Sequence, residues 1–180
     1  LKAPRLIFKI VWVFAYGSLI FRPGFEFLNQ VRGSVDGYTR KFWQGSPDHR
    51  GTPEMPGRVV TLVEIAEERC EGVIFEIAPD QDSNVLDYLD DRESGGYERC
   101  RLKVTLESQQ VIEAWTWIAP PKNKNFLGDS SREVMVEQIL QANGQSGANR
   151  DYVSYLAREL ERIGIEDLHV QELARWLREA

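Results

Sequence analysis

Residues 6–15 are apolar at every position but Lys9, and rich in Ile, Val, Phe and Trp. A run this short and this dense in β-branched and aromatic side chains reads as a buried strand. It stops at Tyr16-Gly17-Ser18-Leu19. Residues 35–44 carry Val35, Tyr38, Phe42 and Trp43 and predict a second strand. Residues 58–65 (RVVTLVEI) and 72–77 (GVIFEI) predict two more, joined by a charged turn. The pattern then changes. Val85, Leu86 and Leu89 make one helical face, with Asp82 or Ser83 as the cap and Gly95-Gly96 as the stop. Leu102, Val104 and Leu106 alternate, and residues 111–118 answer them across Ser108-Gln109-Gln110, which predicts a hairpin.

The last third is helical. Ser130 followed by Glu133 reads as a capping box, with Val134, Ile139 and Leu140 apolar after it and Gly144 as the C-cap. Asn149 caps the next helix, whose stripe is Val153, Leu156, Leu160 and Ile163. A final helix runs from about Leu168, with Leu173, Trp176 and Leu177 inward. Strands first and helices later argue an α+β fold with an antiparallel sheet or small barrel. No repeat or long linker interrupts it, so residues 1–180 read as a single domain.

Composition narrows the functions. Twenty-eight acidic residues against 22 basic ones leave a net charge of −6, the wrong balance for gripping a phosphate backbone. Trp115 and Trp117, two apart on a strand, share a face as stacking residues would, but core packing is the simpler use. The two cysteines, Cys70 and Cys100, read as reduced thiols, and two histidines with no CxxC spacing argue against a metal. The longest apolar runs fall far short of a membrane span and no secretory pattern is present, so the expectation is a cytoplasmic protein.

Three segments carry candidate chemistry. Tyr16-Gly17-Ser18-Leu19 follows a buried strand, and a glycine there lets successive N–H groups face a carboxylate or an oxyanion. An ordinary strand-ending turn has the same composition. Residues 42–53 (FWQGSPDHRGTP) read as an exposed loop whose Arg50 is suited to a substrate carboxylate. Arg50 and Asp48 simply bracing that loop is the alternative. Residues 90–97 (DDRESGGY) set Asp90, Asp91 and Glu93 at a helix end, where the dipole disfavours anions. A carboxyl buried there acquires the raised pKa of a general acid–base group, but nothing local selects Glu93 from the three.

A resemblance makes the selection. Residues 12–20 (WVFAYGSLI), 40–62 (RKFWQGSPDHRGTPEMPGRVVTL), 88–97 (YLDDRESGGY) and 137–152 (EQILQANGQSGANRDY) look like the ChaC family of glutathione-specific γ-glutamylcyclotransferases. The match runs in order along nearly the whole chain. It implies a γ-glutamylcyclotransferase fold, a small and mostly antiparallel barrel with flanking helices. It implies cleavage of glutathione to 5-oxoproline and cysteinylglycine with no metal or organic cofactor. It assigns Glu93 as the catalytic acid–base and sets Tyr16, Gly17, Ser18 and Leu19 about the γ-glutamyl group, with Arg50 and Tyr152 in matched segments lining the pocket. Ser94 stands where the family commonly has lysine, and Phe126 where it has tyrosine.

Two rival readings differ in class. A serine hydrolase would draw on Ser18, His49 and Asp48, but adjacent Asp48 and His49 make a poor orienting pair. A non-enzymatic partner-binding protein is the second, since family members have been called cation transport regulators.

Overall fold

The computed structural model describes residues 10–180, so residues 6–9 of the expected opening strand lie outside it. Among the described residues five strands close a barrel in the order β1, β3, β2, β4, β5. They are β1 (Val11–Ala15), β2 (Asn29–Ser46), β3 (Gly57–Ile77), β4 (Glu98–Leu106) and β5 (Val111–Ile118). Neighbours are antiparallel except where β1 meets β5 in parallel at Val13 and Trp115. A closed barrel has no free edge, so every strand finds backbone partners on both sides.

The two long strands differ from expectation. β2 begins at Asn29, and β3 runs unbroken where a charged turn was expected between its halves. The charged stretch is an irregularity in the ladder. Asp36 pairs with Arg69 but Tyr38 with Glu64, so residues 65–68 stand opposite Gly37 alone, at φ 79°. Their side chains face water, which leaves the backbone free to stay paired while the strand bends.

Helix α1 (Asp82–Arg92) crosses from β3 to β4. Its N-cap is Gln81, with neither Asp82 nor Ser83 in that role, and Asp82 Oδ1 instead accepts from the Ser83 N–H. Helices α2 (Arg132–Gln141), α3 (Asn149–Arg162) and α4 (Leu168–Glu179) cover one side of the barrel. The caps shift by a residue or two. Ser131 caps α2, because the Ser130 hydroxyl accepts a hydrogen bond from Arg58 Nη2 at 2.7 Å. The α2 C-cap is Ala142, and Gly144 belongs to a two-stranded hairpin, β6 (Asn143–Gly144) and β7 (Gly147–Ala148). Asn149 is the first residue of α3, and its side chain bonds the N–H and C=O of Arg58 at 2.6 and 2.8 Å.

The core is continuous from barrel to helices. Phe14 and Ile74 oppose each other on one face of the β1–β3 pair, Phe75 packs from the other face against Phe25 and Phe27, and Ile139, Val153, Leu156 and Leu173 are fully buried on the helices. In α2 the buried residues are Met135, Val136 and Ile139, while Val134 and Leu140 face outward. Trp176 and Leu177 are only partly covered. Trp117 is buried with its Nε1 donating to Asp90, and Trp115 lies between Arg99 and Arg101. Cys70 and Cys100 are free thiols, the first buried and the second half-buried. Burial pushes the Cys70 thiol up to about 11, which keeps it protonated and inert at neutral pH.

Candidate active site

Three chain segments meet at one mouth of the barrel. The first is the turn after β1. A short 3₁₀ helix (Ser18–Ile20) forms there, with Gly17 before it at φ −128°, ψ −133°. An added Cβ on Gly17 would come within 2.8 Å of Val60 Cγ2 and 3.3 Å of the Tyr152 hydroxyl. Only a glycine lets the backbone pass this close. Among the described residues, no acceptor receives the N–H of Gly17, Ser18 or Leu19. Buried N–H groups are almost always paired, so three in succession are available for a ligand.

The second segment is the end of α1. Glu93 is its C-cap, at φ −93° and ψ 20°, with its N–H on the Leu89 carbonyl at 2.9 Å. The turn that follows is fastened to the barrel. Gln44 Nε2 and Asn125 Nδ2 both donate to the Gly95 carbonyl, at 3.1 and 3.0 Å. Gly96 is at φ 112°, where a Cβ would strike Asn123 Oδ1 at 2.6 Å. These ties fix where the Glu93 side chain stands, and 17% of it remains exposed. Burial raises the Glu93 pKa above its ordinary value, Arg92 beside it works the other way, and the Asp48 carboxylate adds to the rise.

The third is the loop after β2. Asp48 Oδ1 accepts from the Ser46 hydroxyl and the His49 N–H, and Ser46 Oγ accepts from the Arg50 N–H. The β6–β7 hairpin holds this loop through Gln145 N–H to Asp48 O and Ser146 N–H to His49 O. Asp48 therefore braces the loop, as the structural alternative had it, but Arg50 is not its partner. The Arg50 guanidinium is buried, donates to Ala148 O at 3.3 Å, and lies 5.6 Å from the Tyr152 ring centre. Among the described residues no carboxylate pairs with it. Burial lowers its pKa, with only partial relief from Tyr152.

These segments enclose a cavity of about 470 Å³ that Glu93, Ser18, Arg50, Asp48, Tyr97 and Tyr152 help to line. A second hollow of about 40 Å³ is bordered by Tyr16, Gly17, Ser18, Leu19, Glu93 and Tyr152. Glu93, Ser18, Tyr97 and Tyr152 border both. The expected site residues are thus brought together, divided between a large chamber and a small recess with Glu93 at the junction.

Their roles differ. The Tyr16 hydroxyl donates to the Trp117 carbonyl at 2.6 Å, and its own carbonyl accepts from Arg40, so it holds the recess in shape. Tyr97 donates to Val60 O at 2.7 Å, and the Tyr152 hydroxyl accepts from the Val60 N–H at 3.5 Å. Burial, the largest cause, raises the pKa of all three tyrosines, and Glu93 adds to it, so they stay neutral. The side chains of the supposed triad are not linked to one another. Ser18 Oγ accepts from Arg92 Nη2 at 2.9 Å, and His49 Nδ1 lies 3.0 Å from Ser146 Oγ.

Two contributions went unforeseen. Arg92 ties α1 to the first turn, reaching Ser18 Oγ and the carbonyls of Arg22 and Pro23 while standing 3.5 Å from Glu93. Gln44, wholly buried, pairs its amide with Asn123 and holds the turn beyond Glu93. The matched family segments, 88–97 for Arg92 and 40–62 for Gln44, were the only signal for either. Phe126, at the site of the lost tyrosine, packs edge-on against Trp43 and does not line the cavity.

A small closed barrel with a half-enclosed carboxyl of raised pKa at its mouth defines a class of acid–base site, and comparison with known proteins identifies the family. The sequence profile of the ChaC-like proteins matches residues 11–180, and the chain belongs to that family. Gamma-glutamylcyclotransferase 2-3 of Arabidopsis thaliana is 41% identical over 176 residues, covering 93% of this chain and 88% of its own. The human glutathione-specific gamma-glutamylcyclotransferase 1 is 41% identical over 162 residues, covering 87% and 72%. A crystal structure of the cyclotransferase specific to glutathione from yeast superposes with a TM-score of 0.89. It is 25% identical and covers 95% of this chain and 96% of its own.

Proposed function

We propose that this protein is a γ-glutamylcyclotransferase that cleaves glutathione into 5-oxoproline and cysteinylglycine, with Glu93 as its acid–base residue. One observation carries the assignment of Glu93. Its carboxyl, with a pKa raised by burial, borders both a chamber of about 470 Å³ and a recess edged by the turn of Gly17, Ser18 and Leu19. The chamber is of ordinary size for a small-molecule site, which spans roughly 300–1,000 Å³. The human relative named as glutathione-specific, similar over most of the chain, supports the choice of substrate.

The reaction is an intramolecular acyl transfer. The α-amine of the γ-glutamyl residue attacks its own γ-carbonyl carbon and closes a five-membered ring. Tethered, correctly held reactants reach effective molarities on the order of 10⁵ M or more. The task of the protein is to bend the substrate and to supply a free amine. Glu93 takes a proton from the ammonium, and its raised pKa narrows the gap to the amine it must deprotonate. As the tetrahedral intermediate collapses, the bond from the γ-carbon to the cysteinyl nitrogen breaks, and the ring nitrogen passes its extra proton through water to the amine being released. Glu93 then returns the proton to the departing amine of cysteinylglycine. The unpartnered N–H groups of Gly17, Ser18 and Leu19 hold the γ-glutamyl end and offset the charge growing on the carbonyl oxygen. Arg50 gives a substrate carboxylate a buried guanidinium partner. The 180 residues work as one domain in the cytoplasm, where glutathione keeps thiols such as Cys70 and Cys100 reduced.

Incubation with glutathione, followed by mass detection of 5-oxoproline and cysteinylglycine in equal amounts, tests the reaction. No 5-oxoproline from folded protein would overturn it.

A further inference from the structure

Arg22 follows the 3₁₀ helix and carried no signal in the sequence, yet its side chain lines the same chamber as Glu93 and Arg50. Its backbone is held on both sides. The Arg22 N–H donates to Ser18 O at 2.8 Å, and its carbonyl accepts from Arg92 Nη1 at 2.8 Å. The side chain itself is exposed to solvent at the rim of the chamber. Its guanidinium makes no hydrogen bond or ion pair among the described residues, although Asp48 and Asp91 line the same chamber. The charge of Arg22 also depresses the pKa of Arg50. Two guanidinium groups without a carboxylate therefore face one space, in a chain with more acids than bases. Like charges set together are unfavourable until an anion comes between them.

The substrate has a group to match. Glutathione carries one carboxylate on the carbon that bears the reacting amine, and this one must remain beside Glu93 and the first turn. Its other carboxylate lies two residues past the scissile amide, roughly 7 Å away when the peptide is extended. We propose that Arg22, acting with Arg50, holds this distal carboxylate, and so makes the enzyme prefer peptides ending in a free acid. The inference rests on the cyclotransferase reading given above.

The test compares glutathione with its C-terminal amide as substrates for the wild-type chain, Arg22→Met and Arg22→Lys. The expected wild-type preference for the acid is about tenfold in kcat/KM, the size of one charge-assisted hydrogen bond at a partly wet site. It should reside in KM. In Arg22→Met the preference should fall severalfold, with Arg50 keeping the remainder, and Arg22→Lys should restore part of what is lost. Equal treatment of acid and amide by the wild-type chain overturns the inference, as does a preference left unchanged in Arg22→Met. Both outcomes leave the cyclotransferase reading standing. Failure of the wild-type chain to release 5-oxoproline from either substrate overturns both.

Discussion

Arg40 and Arg50 lie close in sequence, on β2 and on the loop after it, and both are nearly inaccessible to solvent. Their surroundings are opposite. Arg40 donates from Nε to Tyr16 O and from Nη2 to Glu71 O, each at 2.5 Å, and pairs through Nη1 with the Asp167 carboxylate. Burial works against its charge, but the Cys70 thiol and the Asp167 carboxylate beside it outweigh burial and raise its pKa. Arg50 has one long bond to Ala148 O and an aromatic face, and its pKa falls. A buried charge is tolerated when it is paired and hydrogen-bonded. Arg40 meets that condition from within the chain and is architecture. Arg50 does not, and the partner proposed for it is a substrate carboxylate. The carboxylates repeat the contrast, since Asp90 serves Trp117 and Arg99 while Glu93 has only Arg92 at 3.5 Å.

The sharpest way to break this comparison is Glu93→Gln. General acid–base groups contribute about 10²–10⁴-fold to rate, and kcat should fall by that much while the fold persists. Stability should not fall. A carboxyl whose folded pKa lies above its unfolded value binds more protons in the native state, so its contribution declines as pH rises between those two values. The ionised form of Glu93 is a burden to the fold that glutamine removes. Turnover together with a thermal melt checks both halves. A protein that melts far earlier would mean that the carboxyl is structural.

Arg40→Met comes next. Removing one member of a buried ion pair costs about 3–5 kcal/mol, and here two carbonyls lose their donor as well. A urea titration should show the loss as a lower midpoint. Arg50→Met should do the reverse, leaving the midpoint unchanged or higher while the KM for glutathione rises. A hydrogen bond to a charged group is worth about 1.5–3 kcal/mol, so the increase should be at least tenfold. If Arg50→Met unfolds as Arg40→Met does, the distinction between the two arginines is lost.

Reading the sequence recovered the elements whose side chains decide them and lost those decided at a distance. The dense apolar run before Tyr16 and the alternation in residues 102–106 are visible because one face must be buried. The true lengths of β2 and β3 are not, because Asn29, Glu67 and Glu68 lie in strands while their side chains stay in water. The cap of α2 was misplaced by one residue since Ser130 and Ser131 are locally equivalent, and only Arg58, more than seventy residues earlier, separates them. The site divides likewise. Family resemblance, not local chemistry, selected Glu93 among three acids at one helix end. What sets it apart physically is its burial beside residues 45–50 and Tyr152, brought there by the barrel and α3, while Asp91 stays exposed. Arg22 carried no pattern, since an arginine before a proline is unremarkable until the cavity is seen beside it.

The smallest effect probes how the chamber's charges act on one another. Asp48 is among the causes that raise the Glu93 pKa, smaller than burial and opposed by Arg92. Asp48→Asn removes that charge, yet its side-chain oxygen can still accept from Ser46 and the His49 N–H. The loop should hold its shape. The Glu93 pKa should then move down toward its ordinary value. Because Glu93 must be ionised to accept the ammonium proton, the acid limb of kcat/KM should move to lower pH, with the plateau little changed. Asp167→Asn is the control from the Arg40 side. It should weaken the fold, through the ion pair that it breaks, and leave the acid limb where it was. A pH profile for each variant separates the two charge sets. A limb that moves equally in both would mean that they are one electrostatic unit, and that the division between architecture and site drawn from the two arginines does not hold.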